Sequence, residues 1–164
     1  MQNSKAGICE WVFPVQGPEA ILWASRLGFD GIQIAERGGY EADFPLLRPA
    51  VQESYYAAQQ ETGITLQALH LWSLCRMASM IHPRESAAGK IGSLCLEKGI
   101  AACVALKISK LMVTSGFFCQ IKNQTDFEIF AEHLRYACKI GSDAGVQIVF
   151  ESALAPNQLH NLFQ

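Results

Sequence analysis

The sequence lacks the short motifs that mark nucleotide sites. GxGxxG does not follow the first predicted strand, and GxxxxGK[ST] does not occur anywhere in the 164 residues. These motifs place glycine backbone and a helix N-terminus against phosphates. Neither a dinucleotide nor a P-loop nucleotide is therefore supported as a ligand.

Charge is also scarce and shows no bias toward one sign. Charged residues make up 17% of the chain, the formal net charge is −2 and the pI is about 6.1. A nucleic-acid-binding protein usually has a basic surplus or a basic stripe, so no nucleic acid partner is predicted. The apolar runs are interrupted well before the ~18 residues of a membrane span. The composition favours a protein that acts on a small molecule and has no membrane segment.

Six cysteines occur, but no two have CxxC spacing. Most have apolar neighbours, as in the stretches around Cys95 and Cys103, which predicts buried, reduced thiols. Met1 to Lys5 shows no apolar region of a signal peptide. We therefore expect a cytoplasmic protein without a disulfide framework.

Strand and helix patterns alternate along the chain as one domain, residues 1–164. The predicted strands are residues 6–13, 29–35, 64–71, 110–114 and 146–150, and the predicted helices are residues 18–27, 46–61, 86–106, 126–144 and 156–163. Thr125 is the predicted N-cap of the fourth helix, in a capping box with Glu128. A glycine-rich loop, residues 37–45, and a long loop, residues 74–84, follow the second and third strands. Such βα units predict a parallel α/β fold.

Two architectures fit this alternation. A doubly wound open sheet suits the length, whereas a complete (β/α)8 barrel needs about 250 residues. Polar residues nevertheless recur at or near the strand ends, at Glu10, Glu36, His70, Ser115 and Glu151. A barrel places its active site at that end of the strands, and this pattern favours the barrel.

Glu151 is the most distinctive of these residues. It ends the apolar run Val146–Phe150, which is typical of a strand buried on both faces. A carboxylate there is costly unless it is solvated, bound to a metal or paired with a lysine or arginine. We therefore take Glu151 as the leading candidate functional residue.

Three segments resemble a known superfamily. Residues 7–11 (GICEW), 28–34 (GFDGIQI) and 145–151 (GVQIVFE) resemble the first, second and fifth strand regions of the xylose isomerase-like TIM barrels, which include sugar and sugar-phosphate isomerases and epimerases, inosose dehydratases and hydroxypyruvate isomerases. The resemblance implies a parallel (β/α) barrel of the TIM type, present as a partial barrel of about five βα units and truncated after the fifth strand.

The resemblance also implies a divalent metal, Mn²⁺ or Mg²⁺. The family binds it with Glu on strand five, Asp on strand six, His on strand seven and Glu on strand eight. Only the first matches here, at Glu151, and the other three would lie beyond Gln164. The implied chemistry is metal-assisted proton transfer through an enediolate, with Glu151 as a metal ligand and as one of two catalytic carboxylates, the other of which this chain lacks. We expect negligible turnover from these 164 residues alone.

The other polar residues are weaker candidates. Glu10, Glu36, His70 and Trp72 are predicted to bind a sugar or sugar phosphate, with Trp11 beside Trp72 as an apolar wall. Each also has a plain structural interpretation: a solvated carboxylate next to Arg37 for Glu36, and core packing for His70 and the tryptophans. Arg76 and His82 are less favoured candidates for a phosphate. Cys75 lies near His70 and His82 in sequence but lacks any protease signature.

Two alternatives stay open. One is a catalytically inactive half-barrel that acts as a structural or self-associating module, because an incomplete barrel exposes strand edges and apolar surface. The other is a metal-dependent DNA-repair endonuclease with several zinc ions. That class needs more histidines at strand ends than this chain offers.

Overall fold

In the part of the chain that the structure describes, five short strands pair side by side in the order in which they occur along the sequence. The computed structural model describes residues 5–36, 38 and 44–162. The strands are β1 (Gly7–Cys9), β2 (Gly31–Glu36), β3 (Thr65–Leu71), β4 (Lys110–Ser115) and β5 (Gln147–Ser152). Every neighbouring pair is parallel.

Helices connect the strands. They are α1 (Pro18–Arg26), α2 (Pro49–Thr62), α3 (Trp72–Arg76), α4 (Ala87–Leu106), α5 (Gln124–Asp143) and α6 (Pro156–Leu162). The described residues also form 3₁₀ turns at Glu10–Val12, Pro45–Leu47, Ser79–Ile81 and Phe117–Cys119.

The strand order decides between the two predicted architectures. A doubly wound sheet reverses direction at a switch point, so its strand order is not sequential. Here the order is β1-β2-β3-β4-β5. With right-handed crossovers, a sheet that always advances in one direction has all its helices on one face. The predicted partial barrel of five βα units is confirmed.

Alternation along the strands separates an outer, helix-covered face from an inner face. Ile34, Leu69 and Leu111 are fully buried on the outer face, and a Cβ added at Gly99 of α4 would lie 2.6 Å from a methyl of Leu71. Successive strand residues point to opposite faces, so Gln33, His70 and Met112 lie on the inner face. The Gln33 Nε2 atom lies 3.2 Å from the Met112 sulfur on that face.

The strand β5 differs from its prediction. Its residues are half-buried or exposed rather than buried on both faces. Ile148 and Phe150 pack against the cluster of Ala131 and Leu134 on α5, which covers only the outer face. In the described part of the chain, β5 pairs with β4 alone.

Three further predictions need correction. The first strand is only three residues long, because the chain turns into a 3₁₀ turn at Glu10–Val12. The predicted loop 74–84 contains most of α3 and a 3₁₀ turn. Asn123, not Thr125, caps α5, since its side-chain oxygen accepts a hydrogen bond from the Asp126 N–H at 2.9 Å.

The cysteines are free thiols. Cys75, Cys95, Cys103 and Cys119 are buried, Cys9 is half-buried and Cys138 is exposed. Among the helices that the structure describes, none is both long and apolar enough to cross a membrane. The predicted glycine-rich loop falls largely on residues 37 and 39–43, and the predicted helix end at Phe163 also lies outside the described residues.

Candidate active site

Four aromatic rings gather where the inner face meets the carboxyl ends of the strands. Trp11 follows β1, His70 lies in β3, Trp72 begins α3 and Phe117 follows β4. The His70 ring centroid lies 5.4 Å from that of Trp11 and 5.3 Å from that of Trp72, and Phe117 lies 5.1 Å from Trp72. We call these four side chains the aromatic cluster.

A line of hydrogen bonds crosses three strands beside this cluster. The Thr114 hydroxyl lies 3.1 Å from the His70 Nε2 atom and donates to the Glu151 Oε2 atom at 3.1 Å. Thr114 and Glu151 are directly opposite each other in the β4–β5 register. The inner face thus brings together two predicted site residues, His70 and Glu151, through a residue that was not predicted.

His70 is neutral at physiological pH. Its side chain is 2% exposed. Burial lowers the pKa of His70 to about 4, against the opposing effect of the Glu151 charge, which raises it. Its Nδ1 atom is buried and has no hydrogen-bond partner among the described residues.

Glu151 combines exposure with a fixed position. The side chain is exposed, yet Thr114 holds one of its oxygens. Ile148 and Phe150 face α5, so alternation places Glu151 on the inner face. The structure thus presents a tethered, solvent-accessible carboxylate next to the aromatic cluster.

The described residues do not by themselves form a metal site. No group of three histidine, cysteine, aspartate or glutamate side chains in the described part of the chain is arranged to hold a metal ion. Mn²⁺ and Mg²⁺ prefer several oxygen ligands, and among the described residues of the inner face Glu151 is the carboxylate on offer. Glu151 thus supplies at most one ligand of the implied metal.

Glu10 and Glu36 point to the outer side of the sheet, opposite the inner face that carries His70 and Glu151. Both border a cavity of about 420 Å³ that Pro18 of α1 and Tyr55 of α2 also line. The two carboxylates are 1% and 2% exposed, respectively. A substrate-binding role for Glu10 and Glu36 stays a prediction. The cavity that they border lies on the opposite side of the sheet from Glu151.

Backbone contacts give Glu10 and Glu36 a structural role. Glu10 accepts hydrogen bonds from the Ala35 N–H at 2.9 Å and from the Gly17 N–H at 3.3 Å. Glu36 accepts from the Ser73 N–H at 3.2 Å and the Ser73 hydroxyl at 2.7 Å. Burial raises the pKa of Glu36, while the hydrogen bonds from Ser73 and Gly38 act in the opposite direction.

The remaining candidates are scattered. Arg76 and His82 are exposed. The Cys75 thiol donates to the Thr114 carbonyl at 3.3 Å, and burial raises the pKa of Cys75 to about 11. A protonated thiol is a poor nucleophile, which argues against cysteine catalysis. Ser115 is buried, and its hydroxyl lies 2.7 Å from that of Ser152.

The sequence interpretation missed Thr114 and Phe117. Thr114 stands in alternation with the apolar Leu111 and Val113, a signal that places it on the inner face. Phe117 follows β4 in a 3₁₀ turn with a positive φ of 52°, and no sequence pattern indicated that conformation.

Sequential parallel strands, helices on one face and polar residues at the carboxyl ends define the class of β/α barrels. The family model of the xylose isomerase-like TIM barrel matches residues 21–162. The chain belongs to this family. No curated protein matches the sequence of this chain.

Solved structures share the fold at low sequence identity. D-Psicose 3-epimerase, solved in the presence of D-fructose, is 17% identical with a TM-score of 0.65, over 88% of this chain and 51% of that one. The 3-keto-D-glucoside 4-epimerase from E. coli is 17% identical with a TM-score of 0.64, over 90% and 56%. A family 2 AP endonuclease from Brucella melitensis is 16% identical with a TM-score of 0.66, over 90% and 55%. This chain spans about half the length of each.

Proposed function

We propose that this protein is a sugar or sugar-phosphate isomerase or epimerase, and that the described strands form one wall of its active site. The observation that carries the proposal is the tethered, exposed carboxylate of Glu151 beside the aromatic cluster. The fold is shared with sugar epimerases, which supports the substrate class.

The proposed chemistry is proton transfer next to a carbonyl. Glu151 removes a proton from the carbon beside the carbonyl and leaves an enediolate. Isomerisation then returns a proton to the neighbouring carbon and moves a proton between the two oxygens. Epimerisation instead needs a proton delivered to the opposite face of the enediolate by a second carboxylic acid, which the family resemblance implies. The divalent metal of this proposal, Mn²⁺ or Mg²⁺, stabilises the charge of the enediolate oxygen when bound. Among the described residues, Glu151 would hold this metal, and no group of three histidine, cysteine, aspartate or glutamate side chains is present there to complete the site.

The aromatic cluster suits a sugar. Trp72 and Trp11 present flat apolar surface on which the C–H face of a sugar ring or open chain packs. Trp11 is 36% exposed, so its ring is accessible from the solvent. This wall lies next to His70, whose neutral ring adds no charge.

A DNA-repair endonuclease is the second enzymatic candidate, because one solved structure with this fold is an AP endonuclease. The inner face argues against it. His70 Nε2 is engaged with Thr114, and the net charge of −2 disfavours DNA binding.

A self-associating module without catalysis is the other alternative. Phe117 and Phe118 are 59% and 69% exposed, which favours contact with another surface. Light scattering coupled to size-exclusion chromatography measures this directly: a stable dimer without sugar binding would support the module over the enzyme.

Tryptophan fluorescence tests sugar binding by the 164-residue chain. The Trp23→Phe variant removes the third tryptophan, which lies on α1, outside the aromatic cluster, and serves as the background. We expect D-fructose or D-tagatose at millimolar concentration to change its emission, and Trp72→Leu in this background to abolish most of the change. No response to either ketose, together with binding of abasic-site DNA, would overturn the proposal.

Turnover is a separate measurement. We expect no epimerised or isomerised ketose from this chain with Mn²⁺, because Glu151 is the one matched member of the family's ligand set. Conversion of a ketose that is lost in Glu151→Gln would show that these residues suffice for catalysis and contradict that expectation.

A further inference from the structure

We propose that Thr114 is a positioning residue of the Glu151 site, which aims the carboxylate and sets the tautomer of His70. The inference rests on the proposed function for the role of Glu151. Its geometric content, a hydroxyl shared between an imidazole and a carboxylate, stands on the described contacts alone.

The numbers of hydrogens and acceptor atoms on each group determine the direction of each hydrogen bond. A threonine hydroxyl has one hydrogen to donate, and an ionised carboxylate only accepts. The hydrogen of Thr114 therefore goes to Glu151 Oε2, at 3.1 Å. In the contact with His70 Nε2, also at 3.1 Å, the Thr114 oxygen is therefore the acceptor. The donor is the N–H of His70, so Nε2 carries the proton.

The tautomer decides what His70 offers to a ligand. A neutral imidazole has one N–H and one acceptor nitrogen. With the proton on Nε2, the acceptor is Nδ1, which is buried and has no partner among the described residues. His70 thus cannot direct a free Nε2 lone pair toward an ion bound at Glu151, and the carboxylate acts without a histidine ligand from β3.

Positioning matters because Glu151 is exposed. A solvent-exposed glutamate samples many rotamers, whereas proton transfer needs the carboxylate within hydrogen-bond reach of the substrate. Thr114 itself is only 8% exposed and sits directly opposite Glu151 in the register, so its hydroxyl is held on the rigid sheet.

Two substitutions separate the hydroxyl from the packing of Thr114. Thr114→Val keeps the shape and removes the hydroxyl, and Thr114→Ser keeps the hydroxyl. The contact of the Cys75 thiol with the Thr114 carbonyl is to the backbone and persists in both. An equal effect of the two variants would therefore indicate a packing role.

Nitrogen-15 NMR of the full 164-residue chain at pH 7 reads the tautomer. The chain has four histidines, and His70→Asn identifies the His70 signals. His133 is the internal reference, because its Nε2 atom contacts the His82 carbonyl at 2.9 Å and it lies on α5, on the helix-covered outer side of the sheet, whereas Thr114 lies on the inner face. The Glu151 side-chain carboxyl carbon shift is recorded in parallel.

We expect His70 to be protonated on Nε2 in the wild type and in Thr114→Ser. In Thr114→Val we expect a mixture with the Nδ1-protonated form and a shifted Glu151 carboxyl signal, with His133 unchanged. Nδ1 protonation in the wild type, or identical spectra of the wild type and Thr114→Val, would overturn the inference. No sugar is used, so this outcome is independent of whether the ketose experiments succeed.

Discussion

The Glu36 carboxylate accepts two hydrogen bonds from Ser73, one from the backbone N–H at 3.2 Å and one from the hydroxyl at 2.7 Å. Ser73 lies in the first turn of α3, whose N-cap residue Leu71 makes no side-chain hydrogen bond. Glu36, at the end of β2, thus accepts the hydrogen bond of a backbone N–H in the first turn of α3. The N-cap residue of α3 provides no side-chain acceptor for it.

Glu36→Ala is expected to lower the free energy of unfolding by about 1–3 kcal/mol, because it leaves the buried Ser73 N–H without its acceptor. Ser73→Ala removes only the hydroxyl contact and should cost less, about 0.5–1.5 kcal/mol. Urea unfolding at pH 7 measures both. Ser54→Ala, on the exposed face of α2, is the control, and a loss from Glu36→Ala no larger than that control would contradict the capping role.

The loss of unfolding free energy in Glu36→Ala is also expected to depend on pH. Burial raises the pKa of Glu36 in the folded state, so the stability linked to its protonation is present below the unfolded pKa and is lost as the pH rises through the folded pKa. The difference between the wild type and Glu36→Ala is therefore expected to be larger at acid pH than at pH 7.

His70 is expected to make the fold acid-sensitive. Its folded pKa of about 4 lies below the ordinary value of 6.5, so the unfolded chain takes up the proton first as the pH falls. As the pH falls from about 6.5 to about 4, the free energy of unfolding is expected to fall by about 3.5 kcal/mol, at about 1.4 kcal/mol per pH unit.

Urea unfolding of His70→Asn from pH 7 to 4 checks this loss, since the variant should lack that part of the pH dependence. His82→Asn is the matched control, because His82 is exposed and its carbonyl contact with His133 is to the backbone. Equal pH profiles for the wild type and His70→Asn would show that His70 is protonated alike in both states.

Gly141 allows α5 to approach β5. A Cβ at this position would lie 2.6 Å from the Val146 carbonyl oxygen and 3.0 Å from the Ile148 Cδ1 atom. Gly141→Ala is therefore expected to cost about 1–3 kcal/mol by overpacking, with a lower thermal midpoint. Ser142→Ala, one residue along on the exposed side of α5, should stay within about 0.5 kcal/mol. An unchanged free energy of unfolding in Gly141→Ala would show that α5 can move away from β5 without cost.

Several features of the fold could be predicted from local pattern. The βα alternation and most element positions followed from apolar runs and their breakers, as with Gly63, which ends α2 in the left-handed conformation. The N-cap of α5 was misplaced because Asn123 and Thr125 are both good caps, and the choice depends on which side chain reaches the Asp126 N–H.

Placement of the polar residues at the strand ends needed the register. Glu36 follows Ile34 by two residues and so shares its outer face, whereas Glu151 follows Val149 on the inner face. The sequence shows which residues share a face of each strand. It does not show which of the two faces the helices cover, and this decides which residues are on the inner face. The bulge between β2 and β3, where the register shifts at Ile32 and Gln33, is not visible in either strand alone.

The sequence by itself determined the class of element at most positions, the carboxylate Glu151 near the end of β5 and the family resemblance, because these depend on residues close together along the chain. The tertiary structure decided that the sheet advances in one direction, that Glu10 and Glu36 serve the outer side, and that Thr114 joins His70 to Glu151. These relationships connect residues more than 24 positions apart, and only strand pairing brings such residues within hydrogen-bond distance.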